Sequence, residues 1–213
     1  MRFPIDFAAM AMTVTIRVTI TVAAAAGAVL SFPTHAASSL TLDDLMRTLA
    51  QRGPEAARFV EKKYLAVLDN KPVESSGELR YAPPNRIEKK TLKPKPESLI
   101  VEGDQAIVER NGQRMTLRLS AYPDIAPFVD SIRGTLAGDR KSLERVYRLE
   151  LSGDAERWTL LMLPSDQKLA TIVQRIDIAG NRDQVRSIAI LQGDGDRSVM
   201  TIDRIDQPKP VPK

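Results

Sequence analysis

The chain has no cysteine, and its one histidine, His35, lies just ahead of an expected export cleavage site. A mature protein that starts after that site has neither residue. This excludes disulfides, thiolate nucleophiles, most zinc sites and histidine-based acid/base catalysis. The fold must then be held by its core alone, and neither an enzymatic activity nor a cofactor or metal is expected. Aromatics make up only 5% of the chain, and no Lys/Arg cluster carries aromatics interleaved for base stacking. The net charge of +4 is spread along the chain, so nucleic acid is not an expected partner. Beyond the N-terminal region no run approaches the roughly 18 apolar residues that a membrane span needs. What the composition leaves open is binding.

The N-terminus reads as an export signal. Arg2 and Arg17 supply positive charge, and 18–30 is an unbroken stretch of small and apolar residues, long enough for a secretory signal and short for a membrane span. Thr34-His35-Ala36 places small residues where a signal peptidase reads, so residues 1–36 are expected to be removed before Ala37. Met10 and Met12 are alternative starts. A mature domain over 37–206 is long enough for one sizeable core. The Pro/Lys-rich tail over 207–213 is expected to be disordered.

Along that domain the hydrophobic period changes three times. Residues 39–52 read as a helix, with Leu42, Leu45, Met46 and Leu49 at helical spacing. Thr41 and Asp44 resemble a capping box, and Gly53-Pro54 ends the helix. Period-two strands are predicted over 57–68, 73–81, 86–92, 97–101, 105–110 and 113–119, with Asn111-Gly112 as the strongest hairpin signal. Residues 124–136 return to helical spacing, placing Ile125, Phe128, Val129, Ile132 and Leu136 on one face. Strands resume over 146–152, 157–163, 172–179, 185–191 and 197–205. The strands follow one another too closely for crossover helices, so the sheet is antiparallel. The sum is a mainly β protein: an unclosed, strongly curled antiparallel β-barrel of about eleven strands, with amphipathic helices covering an apolar cavity.

Polar motifs carry little chemistry. Ser165 and Lys168 match Ser-x-x-Lys, but its companion motifs are absent and the segment reads as a turn. Asp194 and Asp196 flank Gly195 without the glutamate that closes a calcium loop. Glu55, Glu61, Glu74 and Glu78 read as scattered carboxylates on solvated strand faces. The apolar rows say more. Trp158, Leu160 and Met162 point one way from a strand that is also apolar on its other face, so it lies between two apolar layers. Tyr147, Leu149 and Leu151 form a second row, Met115, Leu117 and Leu119 a third, and Leu79 and Tyr81 a fourth. Such rows suit either a filled core or a ligand cavity, and the helix over 124–136 suits either a lid or a fixed core element.

Three stretches resemble a known family. Phe59-Val60-Glu61-Lys62-Lys63 opens the sheet. The run from Ser76 through Gly77-Glu78-Leu79 and Ala82-Pro83-Pro84 to Lys89 follows, and the run from Pro96 through Leu99-Ile100-Val101 to Asp104 ends in an acidic-Gly turn. Together they resemble the outer-membrane lipoprotein carriers, the LolA-like family. That resemblance implies a periplasmic, unclosed barrel whose lid covers a cavity for acyl chains. It also implies a shuttle between an inner-membrane transporter and an outer-membrane acceptor. Where those carriers have Arg-Pro, with the arginine tying lid to sheet, this chain has Ala82-Pro83-Pro84, and Ile87-Glu88-Lys89 replaces the usual aromatics. A carrier of another lipid or lipophilic metabolite fits as well as one of lipoproteins.

The expected function is therefore a monomeric periplasmic carrier of acylated or other lipophilic cargo. The expected cavity residues are Phe59, Leu79, Tyr81, Leu99, Val101, Met115, Leu117, Leu119, Tyr147, Leu149, Leu151, Trp158, Leu160 and Met162. The expected lid residues are Ile125, Phe128, Val129 and Ile132. The alternative is an envelope sensor or assembly module on the same fold that binds a protein segment.

Overall fold

The computed structural model describes residues 40–68, 71–122 and 126–205. The expected leader over 1–36, the tail over 207–213, the turn residues Asp69 and Asn70, and Ile125 lie outside the described residues.

Eleven strands build one antiparallel sheet. They are β1 (Glu55–Tyr64), β2 (Pro72–Ala82), β3 (Arg86–Lys93), β4 (Glu97–Glu102), β5 (Gln105–Arg110), β6 (Gln113–Arg118), β7 (Tyr147–Asp154), β8 (Arg157–Pro164), β9 (Val173–Asn181), β10 (Gln184–Gln192) and β11 (Arg197–Arg204). The spatial order is β6-β5-β4-β3-β2-β1-β11-β10-β9-β8-β7, so β6 and β7 are the two edges and the sheet is unclosed. Every pairing joins chain neighbours except one, the seam where β1 meets β11. The Asn111-Gly112 hairpin forms between β5 and β6 with both residues at positive φ, 52° and 73°. That is the geometry this dipeptide favours.

Among the described residues four α-helices accompany the sheet: α1 (Leu42–Ala50), α2 (Ala126–Ala137), α3 (Arg140–Glu144) and α4 (Gln167–Ala170). The cap of α1 is as expected from Thr41 and Asp44. The Thr41 hydroxyl accepts from the Asp44 amide at 3.1 Å and donates to the Asp44 carboxylate at 2.5 Å. Two expectations change. The strand predicted over 57–68 stops at Tyr64, and Ala66–Leu68 is a 3-10 turn. The segment from Ser165 to Lys168, read as a turn, instead starts α4, whose Leu169 amide is held by the Asp166 carboxylate at 2.8 Å. Helices of four or five residues are too short for periodicity to show them.

The main core gathers Leu45, Met46 and Leu49 of α1, Leu143 of α3, Tyr147 of β7, Trp158, Leu160 and Met162 of β8, and Ile176 and Ile178 of β9. Thus α1 and α3 fill the face of the sheet at its β7–β9 end. A smaller cluster of Val101, Ala106 and Leu119 lies toward the other end. Gly138 joins α2 to α3 with φ at +66°, and a Cβ there would fall 2.1 Å from the Met46 carbonyl. Only glycine allows α1 to approach this closely.

Candidate functional site

Where α1 and α3 do not reach, the same face of the sheet is left hollow. A cavity of about 490 Å³ lies between α2 and strands β1–β4 and β9–β11. That volume falls within the roughly 300–1,000 Å³ usual for small-molecule pockets. The wall follows from strand alternation and register. Ala57 faces Leu79 across β1 and β2, and Leu79 faces Lys89, which faces Leu99. On the other side of the seam Glu61 faces Met200, which faces Ile188.

The roof is α2, and its two faces are used in an uncommon way. Its fully buried residues are small or polar: Ser131, Gly134 and Thr135. Both hydroxyls are satisfied within the helix, Ser131 donating to the Phe128 carbonyl at 2.6 Å and Thr135 to the Ser131 carbonyl at 2.8 Å. The apolar residues Phe128, Val129, Ile132 and Leu136 are only half-buried and line the cavity. The helix thus buries its small residues, while Phe128, Val129, Ile132 and Leu136 touch the edges of the core clusters and turn their remaining surface to the hollow.

Two contacts pin α2. Tyr147, whose hydroxyl pKa burial pushes up to about 12, donates to the Pro127 carbonyl at 3.3 Å. Arg133 donates to the Gly103 carbonyl in the β4–β5 turn and pairs with Asp130. The arginine belongs to the helix and the acceptor to the sheet.

The expected cavity residues divide into three groups. Leu79, Tyr81, Leu99 and Val101 line the cavity, as do Phe128, Val129 and Ile132 of the expected lid. Tyr147, Leu149, Leu151, Trp158, Leu160 and Met162 sit at the far end, in or against the main core. Leu149 and Leu151 face Met162 and Leu160, and Leu160 and Met162 continue the cavity-wall register through Ile178 and Ile176. They share the face of the cavity wall but are covered by helix. Leu117 and Leu119 belong to the smaller cluster, Met115 is 53% exposed on the edge strand β6, and Phe59 is buried beneath Lys89. The residues that sequence reasoning passed over are those of β9–β11, among them Ile188, Ile190, Met200 and Ile202. Their alternation is as regular as that of β2 and would have revealed them.

Trp158 is fully buried. Its indole N–H donates to the Arg182 carbonyl at 2.9 Å, and a Cβ on Gly180 would fall 2.2 Å from its ring. Its emission should therefore lie at short wavelength and stay unchanged when dodecanoate is added at saturating concentration. A shift on addition would mean that the cavity extends beneath α1.

Two buried charged groups sit in the cavity wall, beside other polar lining residues such as Lys63, Arg80, Lys89 and Ser198. Glu61, read from sequence as a solvated carboxylate, is 5% exposed, because it lies two residues from Phe59 and so points the same way. The Lys89 ammonium reaches it at 2.5 Å and passes 5.0 Å from the centre of the Phe59 ring. The second group is Arg52, which follows α1 and pairs with Glu55. Burial lowers the pKa of its guanidinium, and the nearby Asp183 carboxylate acts in the opposite direction. No helix among the described residues is long and apolar enough to cross a membrane.

Several solved structures are similar to this chain at low identity. A LolA superfamily protein from Nitrosomonas europaea is 11% identical over 80% of this chain and 96% of its own, with a TM-score of 0.43. The Pseudomonas aeruginosa MucA/MucB complex matches at 15% identity over 79% of this chain and 59% of that one, with a TM-score of 0.45. LprF from Mycobacterium bovis matches at 12% identity over 81% and 96%, with a TM-score of 0.34. No curated protein matches the sequence significantly. Residues 34–203 match the family model described as outer membrane lipoprotein carrier protein LolA-like, and the chain belongs to that family.

Proposed function

We propose that this protein is a periplasmic carrier that holds an acylated or otherwise lipophilic cargo in the cavity beneath α2 and moves it toward the outer membrane. The observation that carries the reading is the roof. A helix whose apolar face is left half-buried over a hollow of about 490 Å³ is built to complete its burial with something else. Apolar area is the main source of the affinity. A chain of about 14 methylenes at ~0.8 kcal/mol each gains ~11 kcal/mol before ordering costs. No bond needs to be made or broken, so the proposal includes no catalysis. An inner-membrane transporter that loads the carrier and an outer-membrane acceptor that unloads it belong to the same reading.

Native mass spectrometry of gently purified protein tests this. A co-purifying mass of lipid size, lost on organic extraction, is the expected result. A polypeptide in its place would favour the sensor that binds a protein segment. Protein that is always empty and takes up no acyl ligand would overturn the carrier reading.

A further inference from the structure

Arg52 has no partner adequate to its burial. Its side chain is 4% exposed, it lines the cavity, and one nitrogen, Nη2, pairs with Glu55. The Nε and Nη1 donors meet no acceptor among the described residues. Unmet donors on a buried cation are costly, and native proteins rarely leave them so. The surroundings say what would satisfy them. Glu55 already offsets the charge of Arg52, and Asp183 and Arg204 nearby offset each other. What is missing is oxygen acceptors more than negative charge. From this end an apolar row begins with Ala57 and Leu79 and resumes at Leu99 beyond Lys89.

We infer that Arg52 receives the carbonyl end of an acyl chain, so that cargo lies head-first at the α1–β1 junction with its methylenes along the apolar wall. The inference rests on the carrier reading and adds to it a polarity of binding and a head-group class. The carbonyl oxygen can come from a neutral ester or amide, or from a free carboxylate. In either case the donors gain acceptors that the sheet does not supply, and a chain without oxygen leaves them unmet.

The test compares wild type with Arg52→Gln/Glu55→Gln, whose two amides can pair with each other, and with Arg52→Lys, which keeps the ion pair but loses the Nε and Nη1 donors. N-phenylnaphthylamine, an uncharged oxygen-free fluorophore, reports cavity binding, and dodecanoate and methyl dodecanoate are titrated against it. Both variants should bind the fluorophore as wild type does. They should lose about tenfold or more in affinity for the oxygenated ligands. Loss for methyl dodecanoate points to an ester or amide head. Loss confined to dodecanoate points to a free acid. If affinity for both ligands is unchanged, or falls equally with that for the fluorophore, the inference is overturned and the carrier reading stands. If wild type binds none of the three, the carrier reading itself fails. Should the double variant not fold, Arg52→Lys decides alone.

Discussion

Replacing Phe128 and Ile132 together by serine should weaken dodecanoate binding by about 3 kcal/mol, roughly a hundredfold. Both side chains line the cavity from α2 and are half-buried. A bound chain completes their burial, and serine has nothing comparable to offer. The same change should cost the fold only about 1–2 kcal/mol, because the half-buried groups contribute less before a ligand arrives and the docking face of Ser131, Gly134 and Thr135 is untouched. Ligand titration and urea unfolding on one preparation separate the two effects. Collapse of stability, with unchanged affinity in the folded fraction, would make α2 a fixed core element and overturn the proposed lid.

Lys89→Met should lower the unfolding free energy by about 3 kcal/mol, at the lower end for breaking a buried pair because Lys89 keeps some contact with solvent. The loss comes less from the missing attraction than from what stays behind. The Glu61 carboxylate would remain buried with only the Ser75 hydroxyl, 3.5 Å away. Removing the carboxylate as well, in Lys89→Met/Glu61→Gln, should restore most of the stability. Equal urea midpoints for wild type and Lys89→Met would show that the pair contributes nothing to the fold.

The strands were legible because a half-buried strand writes its burial into every second residue. The Thr41 cap and the Asn111-Gly112 turn were legible because local hydrogen bonds and positive φ restrict residue choice. The division between packed core and hollow was not. Leu160 and Leu79 occupy equivalent positions in the alternation, yet one lies against helix and the other against the cavity. Which rows α1 covers is decided by how a distant helix lies across the sheet, and no period records that. Glu61 could have been found, since Phe59 facing inward carries Glu61 with it. Arg52 could not. A charged residue ahead of Gly53-Pro54 reads as the solvated end of a helix, and only the tertiary structure shows it buried.

The seam between β1 and β11 has a consequence for how the molecule assembles. All other strand pairs join neighbours in the chain, so each half of the sheet can form from short loops at low entropic cost. The seam alone unites segments at opposite ends of the sequence, bringing Phe59 to Ile202 and Glu61 to Met200. Before it forms there are two meanders, each with a bare edge that invites pairing with a second chain. The cavity wall draws on both meanders, so the hollow exists only once the seam has closed. A cargo that binds there favours the closed form over any with the seam open, and so acts as a clasp on the slowest contact in the topology.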